Sequence, residues 1–328
     1  MSNHKFADYW AVTMFSFTNE LLDARQTPLQ LIEELLESGV TKNIEIDGPM
    51  HFRNYPNPDP SEVTALKALL GKYGASISLV GGAADRAVSS NRLVDSSSVV
   101  ASVKQQLALA GGLGAFGLRM MVGSLSIQEL QELIPVAEMY DVRILFELHG
   151  VMSADSPIAL ECLKLVQDLD SPSVRLMFDS SLFMAELPHG LLRALESTGV
   201  ANANELAEKW KTSSLGEFRG WLMPQVDTFS PRFKAFLPTL LSRVGHAKPS
   251  DFDAYLPFIE SVHLKYWELD EDMTSTQDLI EYLKQKNYAG YLTSEWGGHE
   301  WYSLKQIASM DATLNHKELV ERSFNLAH

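Results

Sequence analysis

The stretches VRILFELHG (142–150) and VRLMFDSS (174–181) decide the fold. Each is a short apolar run with β-branched and aromatic residues, and each carries an acidic residue near its end. Runs of this kind predict the buried strands of a parallel sheet. Between them lies SPIALECLKLVQDLD (156–170), whose apolar residues recur at helical spacing. Together they predict two parallel strands joined by a crossover helix.

The same alternation continues along most of the chain. We expect eight strands, at 10–17, 43–48, 76–82, 115–123, 142–150, 174–181, 261–269 and 290–298. Amphipathic segments lie between most of them, which favours an α/β fold of the (β/α)₈ TIM barrel type. The rival is an open doubly wound sheet, which would place a glycine-rich phosphate turn after the first strand. The sequence there is FSFTNELLD, without a glycine.

One segment interrupts this alternation. Residues 182–260 contain several helical patterns and no clear strand. We therefore expect a single domain over residues 1–328, with a helical insertion after the sixth strand.

Composition and charge exclude several classes of function. The net charge of −15 disfavours nucleic acid as a partner. No run approaches the roughly 20 apolar residues of a membrane span, and MSNHKFADYW lacks the apolar core of a signal peptide. We expect a cytoplasmic protein without a membrane contact. The one cysteine cannot form an internal disulfide.

Ionisable residues lie where the later strands end, which is where barrel enzymes place their active sites. The fifth and sixth strands carry Glu147 and Asp179, and the seventh and eighth carry His263 and Glu295. The spacing within each pair is 32 residues, which fits one strand–helix unit. We therefore expect the four side chains to meet on one side of the barrel mouth.

Three carboxylates in close contact repel one another unless a cation lies among them. Three oxygen ligands and one imidazole suit one divalent ion, for which we expect Mn²⁺, with Mg²⁺ or Co²⁺ as alternatives. Each of these residues alone has an ordinary interpretation, as a solvated carboxylate or a core histidine. The joint pattern is what predicts the metal site.

Further polar and aromatic residues could contact a substrate. Lys265 shares a strand face with His263, so it could neutralise a developing oxyanion or form a salt bridge at the barrel mouth. Aromatic residues near strand ends could hold a sugar ring or an aromatic aglycone, although packing alone also explains them. The candidates for substrate binding are Trp10, Phe15, Phe17, Arg119, Trp296 and His299, with Glu45 as a further polar candidate.

The motifs FELHG (146–150), MFD (177–179), VHLKYW (262–267) and GYLTSEWGGH (290–299) resemble the sugar isomerase/epimerase superfamily of metal-dependent barrels. That resemblance implies a Glu–Asp–His–Glu metal site. In the ketose 3-epimerases of that superfamily, the glutamates of the fifth and eighth strands also serve as the acid–base pair. Two departures argue against a plain epimerase. A histidine three residues after the metal aspartate is replaced by Leu182, and the insertion is longer.

The chain also resembles the α-subunits of bacterial C-glycoside deglycosidases, in its length, its insertion and its last two strand motifs. That resemblance implies cleavage of the sugar–aglycone C–C bond of 3-oxo glycosides. It also implies a small β-subunit in a hetero-oligomer, and it makes His149, two residues after Glu147, the base. An alternative role for His149 is to orient Glu147.

These observations lead to a metal-dependent lyase as the expected function, working through a metal-stabilised enediolate. A sugar or sugar-phosphate isomerase/epimerase with the same intermediate is the alternative. A nuclease on the same fold would need more strand-end histidines and a basic face. A non-catalytic sugar-binding or partner subunit would have lost a ligand or the base.

Overall fold

The computed structural model describes residues 9–89, 92–197, 203–267, 274–300 and 308–325. Within them, eight parallel strands close into a barrel in the order β1-β8-β7-β6-β5-β4-β3-β2. The strands are β1 (Trp10–Thr13), β2 (Asn43–Asp47), β3 (Ser76–Gly81), β4 (Gly117–Met121), β5 (Arg143–Leu148), β6 (Val174–Asp179), β7 (Ile259–Tyr266) and β8 (Tyr291–Trp296). The TIM-barrel prediction is confirmed.

Helices surround the barrel and fill the insertion. They are α1 (Thr18–Asp23), α2 (Pro28–Glu37), α3 (Gly48–His51), α4 (Pro60–Tyr73), α5 (Ser96–Leu113), α6 (Ile127–Tyr140), α7 (Pro157–Leu169), α8 (His189–Ser197), α9 (Ala203–Thr212), α10 (Leu215–Leu222), α11 (Pro231–Arg243), α12 (Thr274–Gln285) and α13 (Ser309–Asn325). Short 3₁₀ turns lie at Met14–Phe17, Ser180–Leu182, Met223–Thr228, Pro249–Phe252, Leu256–Phe258 and Gly298–Glu300. In the described part of the chain, no helix has the length and apolar character of a membrane span.

Local sequence signals set the ends of these elements. Thr27, Asp59 and Ser126 form capping boxes with the residues three positions later, and these fix where α2, α4 and α6 begin. Strand β1 ends at Thr13, earlier than expected, because the Thr13 side chain accepts a hydrogen bond from the Phe15 backbone N–H and starts a 3₁₀ turn.

Strand alternation divides the barrel interior into two layers. Leu145 and Met177 form an apolar cluster inside the barrel with Leu79 of β3. Two residues further along their strands, on the same face, lie Glu147 and Asp179. The polar mouth of the barrel is therefore built directly on a packed apolar floor.

The segment between β6 and β7 has an apolar cluster of its own. Its buried aromatic residues include Trp210, Phe218 and Phe233, and it also takes in Trp267, the residue that follows β7. The Trp267 side chain therefore joins the helices α8–α11 to the barrel at its mouth.

Burial of one histidine makes stability depend on pH. His51, in the last turn of α3, is buried, and its Nδ1 donates to the Asp47 carbonyl over 2.7 Å. Burial lowers the pKa of His51 to about 4, below its unfolded value of about 6.5. The neutral ring therefore stabilises the fold fully above the unfolded pKa, and this contribution is lost as the pH falls from there towards 4.

As the pH falls towards 4, we expect the unfolding free energy of His51→Asn to decrease less than that of the unaltered chain. The asparagine amide keeps a hydrogen-bond donor at this position and does not titrate. The difference in unfolding free energy should reach about 3 kcal/mol near pH 4. Urea unfolding of both proteins between pH 4 and 7 measures it. Parallel curves would show that the neutral ring of His51 does not contribute.

Candidate metal centre

Four side chains from consecutive strands meet at the barrel mouth. Glu147 of β5, Asp179 of β6, His263 of β7 and Glu295 of β8 are all buried. Each offers one ligand atom, and these four atoms lie within 4.8 Å of one another. Metal–ligand distances near 2.0–2.2 Å place opposite ligands about 4 Å apart, so this cluster has the size of a single-ion site.

Two of the carboxylates each have one oxygen held by a cation. Glu147 Oε2 accepts from Arg119 Nη1 over 2.9 Å, and Glu295 Oε1 accepts from Lys265 Nζ over 3.0 Å. Their other oxygens, Glu147 Oε1 and Glu295 Oε2, lie 3.2 and 2.6 Å from His263 Nδ1. One oxygen of each carboxylate is thus fixed by the protein, and the other points to the shared centre.

The Asp179 carboxylate also has one oxygen fixed by the protein, in this case by a backbone N–H. Its Oδ1 accepts from the Ser181 backbone N–H over 2.7 Å, while its Oδ2 lies 3.7 Å from Lys265 Nζ. Burial raises the pKa of Asp179, and Lys265 only partly opposes the shift. For Glu295, burial acts in the same direction, but Lys265 and His263 outweigh it and hold its pKa well below the usual range.

The cluster has more acidic than basic side chains, and a divalent cation would offset the difference. Four buried carboxylates face two basic side chains. The carboxylates are Glu45, Glu147, Asp179 and Glu295, and the basic side chains are Arg119 and Lys265. Burial lowers the pKa of His263, but Glu45 and Glu295 outweigh it and raise this pKa well above its usual value. A proton on the ring thus supplies part of the missing positive charge when no metal ion is bound.

Two buried atoms support the fit to a metal ion. His263 Nδ1 and Glu295 Oε2 have no hydrogen-bond partner among the described residues, although they lie 2.6 Å apart. A cation shared by the two atoms would satisfy both. Oxygen and imidazole donors suit Mn²⁺, Mg²⁺ or Co²⁺.

Glu45 contacts the candidate metal site directly, whereas the sequence analysis named it only as a further polar candidate for substrate contact. This β2 residue is fully buried, and its Oε2 lies 2.6 Å from His263 Nε2. Its Oε1 accepts from Arg119 Nε over 2.7 Å. Arg119 was expected to contact substrate, but its three nitrogens face Glu45, Glu147 and, at 3.5 Å, Asp47. A glutamate in the otherwise apolar interior of NIEID (43–47) was the available signal.

Aromatic rings lie beside the lysine of the cluster. Lys265 Nζ is 5.5 Å from the centre of the Phe15 ring and 5.9 Å from that of Trp267. The His299 ring meets Phe15 edge to face, with the ring centres 4.8 Å apart. We call Phe15, Trp267 and His299 the aromatic wall. Trp267 was not among the residues singled out from the sequence.

Three other aromatic residues, which the sequence analysis offered for substrate binding, are buried among core residues. The ring centres of Trp10 and His316, a residue of α13, lie 5.7 Å apart. Phe17 belongs to the main apolar core. Trp296 is buried in a cluster with Tyr266 and Ala312. Successive side chains of a strand point to opposite faces. Because Glu295 points into the barrel, its neighbour Trp296 points outward and is buried under α13.

His149, the expected base, lies just beyond the end of β5 and is partly exposed. It follows Glu147 by two residues, and it has no hydrogen bond or ion pair with the described residues. Its ring is therefore not committed to a structural contact within that part of the chain.

Comparison with known proteins gives a consistent set of relatives. No family model matches the sequence. The C-glycoside deglycosidase alpha subunit of Arthrobacter globiformis is 25% identical, over 96% of this chain and 92% of that protein. The 3′-dehydrocarminate deglycosidase alpha subunit of a Microbacterium species is 24% identical, over 88% of each chain. The resemblance to C-glycoside deglycosidase α-subunits is thereby confirmed.

Solved structures support the fold. A D-psicose 3-epimerase structure matches with a TM-score of 0.56 and 10% identity, over 96% of this chain and 98% of that one. A 3-keto-D-glucoside 4-epimerase from E. coli matches with a TM-score of 0.54 and 11% identity, over the same shares. At this identity the likeness establishes the barrel architecture alone.

We expect the purified chain to bind about one Mn²⁺, Co²⁺ or Mg²⁺, which elemental mass spectrometry and titration calorimetry measure. Glu147→Gln and Asp179→Asn should each weaken binding by more than the ~10–100-fold typical of an outer-shell partner. Adding Mn²⁺ at about 100 times its Kd should stabilise the unaltered chain by about 2.7 kcal/mol.

Glu129→Gln is the matched control, because Glu129 is equally buried and pairs with Arg86 away from the four ligands. It should bind metal as the unaltered chain does. Equal metal content in all four proteins would rule out this site.

Proposed function

We propose that this chain is a divalent-metal-dependent enzyme acting on carbohydrate, and specifically a lyase that cleaves the sugar–aglycone C–C bond of a 3-oxo C-glycoside. The convergence of Glu147, Asp179, His263 and Glu295 at the barrel mouth carries the proposal. Similarity to deglycosidase alpha subunits over nearly the whole chain supports the lyase reaction.

His149 is the proposed base. It takes the proton from C2 of the sugar, and the C2–H electrons form the enediolate with the C3 carbonyl. The electrons then return from C3 to form a C1=C2 bond. The C1–aglycone bond breaks with its electron pair on the aglycone carbon, which takes up a proton. Imidazole is the side chain best suited to proton transfer near neutrality.

Glu147, Asp179, His263 and Glu295 would hold the divalent cation, which would supply Lewis-acid stabilisation of negative charge on substrate oxygens. Lys265 adds a second positive group, already fixed by Glu295 at 3.0 Å and facing Asp179 at 3.7 Å. Because it is buried and held in place, it stabilises a developing oxyanion without reorganising.

The aromatic wall provides a surface for an aromatic aglycone. Phe15 and His299 are partly exposed, whereas Trp267 is buried. The rings meet edge to face, an arrangement that leaves ring faces available for offset contact.

A second chain is part of this proposal, because the relatives are named alpha subunits. We propose that a small β-subunit joins this chain in a hetero-oligomer.

A sugar isomerase or epimerase is the second candidate. The observation in its favour is that Glu147 and Glu295 approach His263 Nδ1 together, at 3.2 and 2.6 Å. Two carboxylates in one site could exchange a proton on opposite faces of a substrate carbon.

We expect His149→Asn to lower the rate of C2 proton abstraction from a 3-oxo C-glycoside by ~10²–10⁴-fold, since it removes the base. Its metal content should stay at the level of the unaltered chain. Loss of the C2–H signal in D₂O, followed by NMR, measures this first step without requiring complete turnover.

Release of free aglycone identifies a lyase, and conversion of ketoses without aglycone release identifies an isomerase or epimerase. Unchanged C2 exchange in His149→Asn would exclude His149 as the base. Absence of activity on both substrate classes, even with a β-subunit supplied, would overturn the proposed function.

A further inference from the structure

Glu45 contacts the metal-site histidine from the other side of the barrel. It lies on β2, which β1 and β8 separate from the β7 strand of His263. The carboxylate of Glu45 is fully buried, and both of its oxygens are engaged. The contact between Glu45 and His263 therefore crosses the barrel interior rather than joining neighbouring strands.

This contact selects one tautomer of the imidazole. Glu45 Oε2 is an acceptor 2.6 Å from His263 Nε2, so that nitrogen carries a proton. The lone pair needed for metal binding is then left on Nδ1, the nitrogen that faces Glu147 and Glu295. A carboxylate behind a ligating histidine orients the ring and increases its basicity.

Arg119 extends this contact to a second ligand. Its Nε donates to Glu45 over 2.7 Å and its Nη1 donates to Glu147 over 2.9 Å. One planar guanidinium thus links the carboxylate that orients His263 to a carboxylate that itself faces the centre. Because the guanidinium geometry is fixed, moving Glu45 also moves the acceptor oxygen of Glu147.

We propose that Glu45 and Arg119 are a positioning pair that sets metal affinity. They hold His263 in its Nε2–H tautomer, and they hold Glu147 with one oxygen on Arg119 and the other facing the metal centre. This inference rests on the metal site proposed above. Both partners of Glu45 are donors, so it needs two acceptor oxygens. Glutamine supplies one, and its NH₂ group must face either the arginine or the histidine.

Titration calorimetry with Mn²⁺ tests the pair. Glu45→Gln should bind ~10–100-fold more weakly than the unaltered chain. Glu45→Asp keeps two acceptor oxygens on a shorter side chain and should recover part of that loss. Glu129→Gln serves again as the control, since it also removes a buried carboxylate paired with an arginine, and its affinity should be unchanged.

The hydrogen bond from His263 to Glu45 has a readout of its own. In ¹⁵N-histidine-labelled protein loaded with diamagnetic Zn²⁺, the Nε2–H proton of His263 should resonate far downfield and exchange slowly with solvent in the unaltered chain, because it is bound to a buried carboxylate. Glu45→Gln should move this resonance upfield. Equal affinity in Glu45→Gln, or an unchanged Nε2–H resonance, overturns the positioning role alone. Absence of metal binding by the unaltered chain overturns both this inference and the proposed function.

Discussion

Mutual repulsion among buried carboxylates is the constraint around which the barrel mouth is organised. Four such groups in a low-dielectric interior are tolerable only if each is paired, because an uncompensated buried charge costs several kcal/mol. Arg119 and Lys265 supply the fixed positive charges, and they bind the outward oxygens of Glu147 and Glu295. The inward oxygens share the remaining negative charge, which a cation at the candidate metal centre would offset.

Strand geometry makes this arrangement possible. Residues two apart share a face, so Leu145 and Glu147 both project into the barrel, as do Met177 and Asp179. The apolar floor of Leu79, Leu145 and Met177 closes this end of the site with buried side chains. Above, Trp267 connects the mouth to the helices between β6 and β7. Trp267, which packs against the insertion, thus lies next to the ammonium group of Lys265.

The fold and the convergence of the four side chains at the barrel mouth could be predicted because equal spacing from strand to strand is visible in the sequence. The same alternation explains the burial of Trp296, which packs with Tyr266 and Ala312 while its neighbour Glu295 faces into the barrel. Contacts across the barrel interior were harder to predict from the sequence. The pairing of Glu45 with His263 depends on the closed strand order and on side-chain reach, and neither can be inferred from a periodic pattern along one strand.

The hydrogen bonds at the mouth also bear on which reaction follows proton abstraction. Returning a proton to the other face of C2 requires a second group free to carry it. Glu147 and Glu295 each give one oxygen to a fixed cation and direct the other at the candidate metal centre. In the proposed isomerase or epimerase, these inward oxygens would have to exchange the proton while they face the cation. In the proposed lyase, His149 is the one base needed to start the elimination, since the electrons of the enediolate then leave through the C1 substituent.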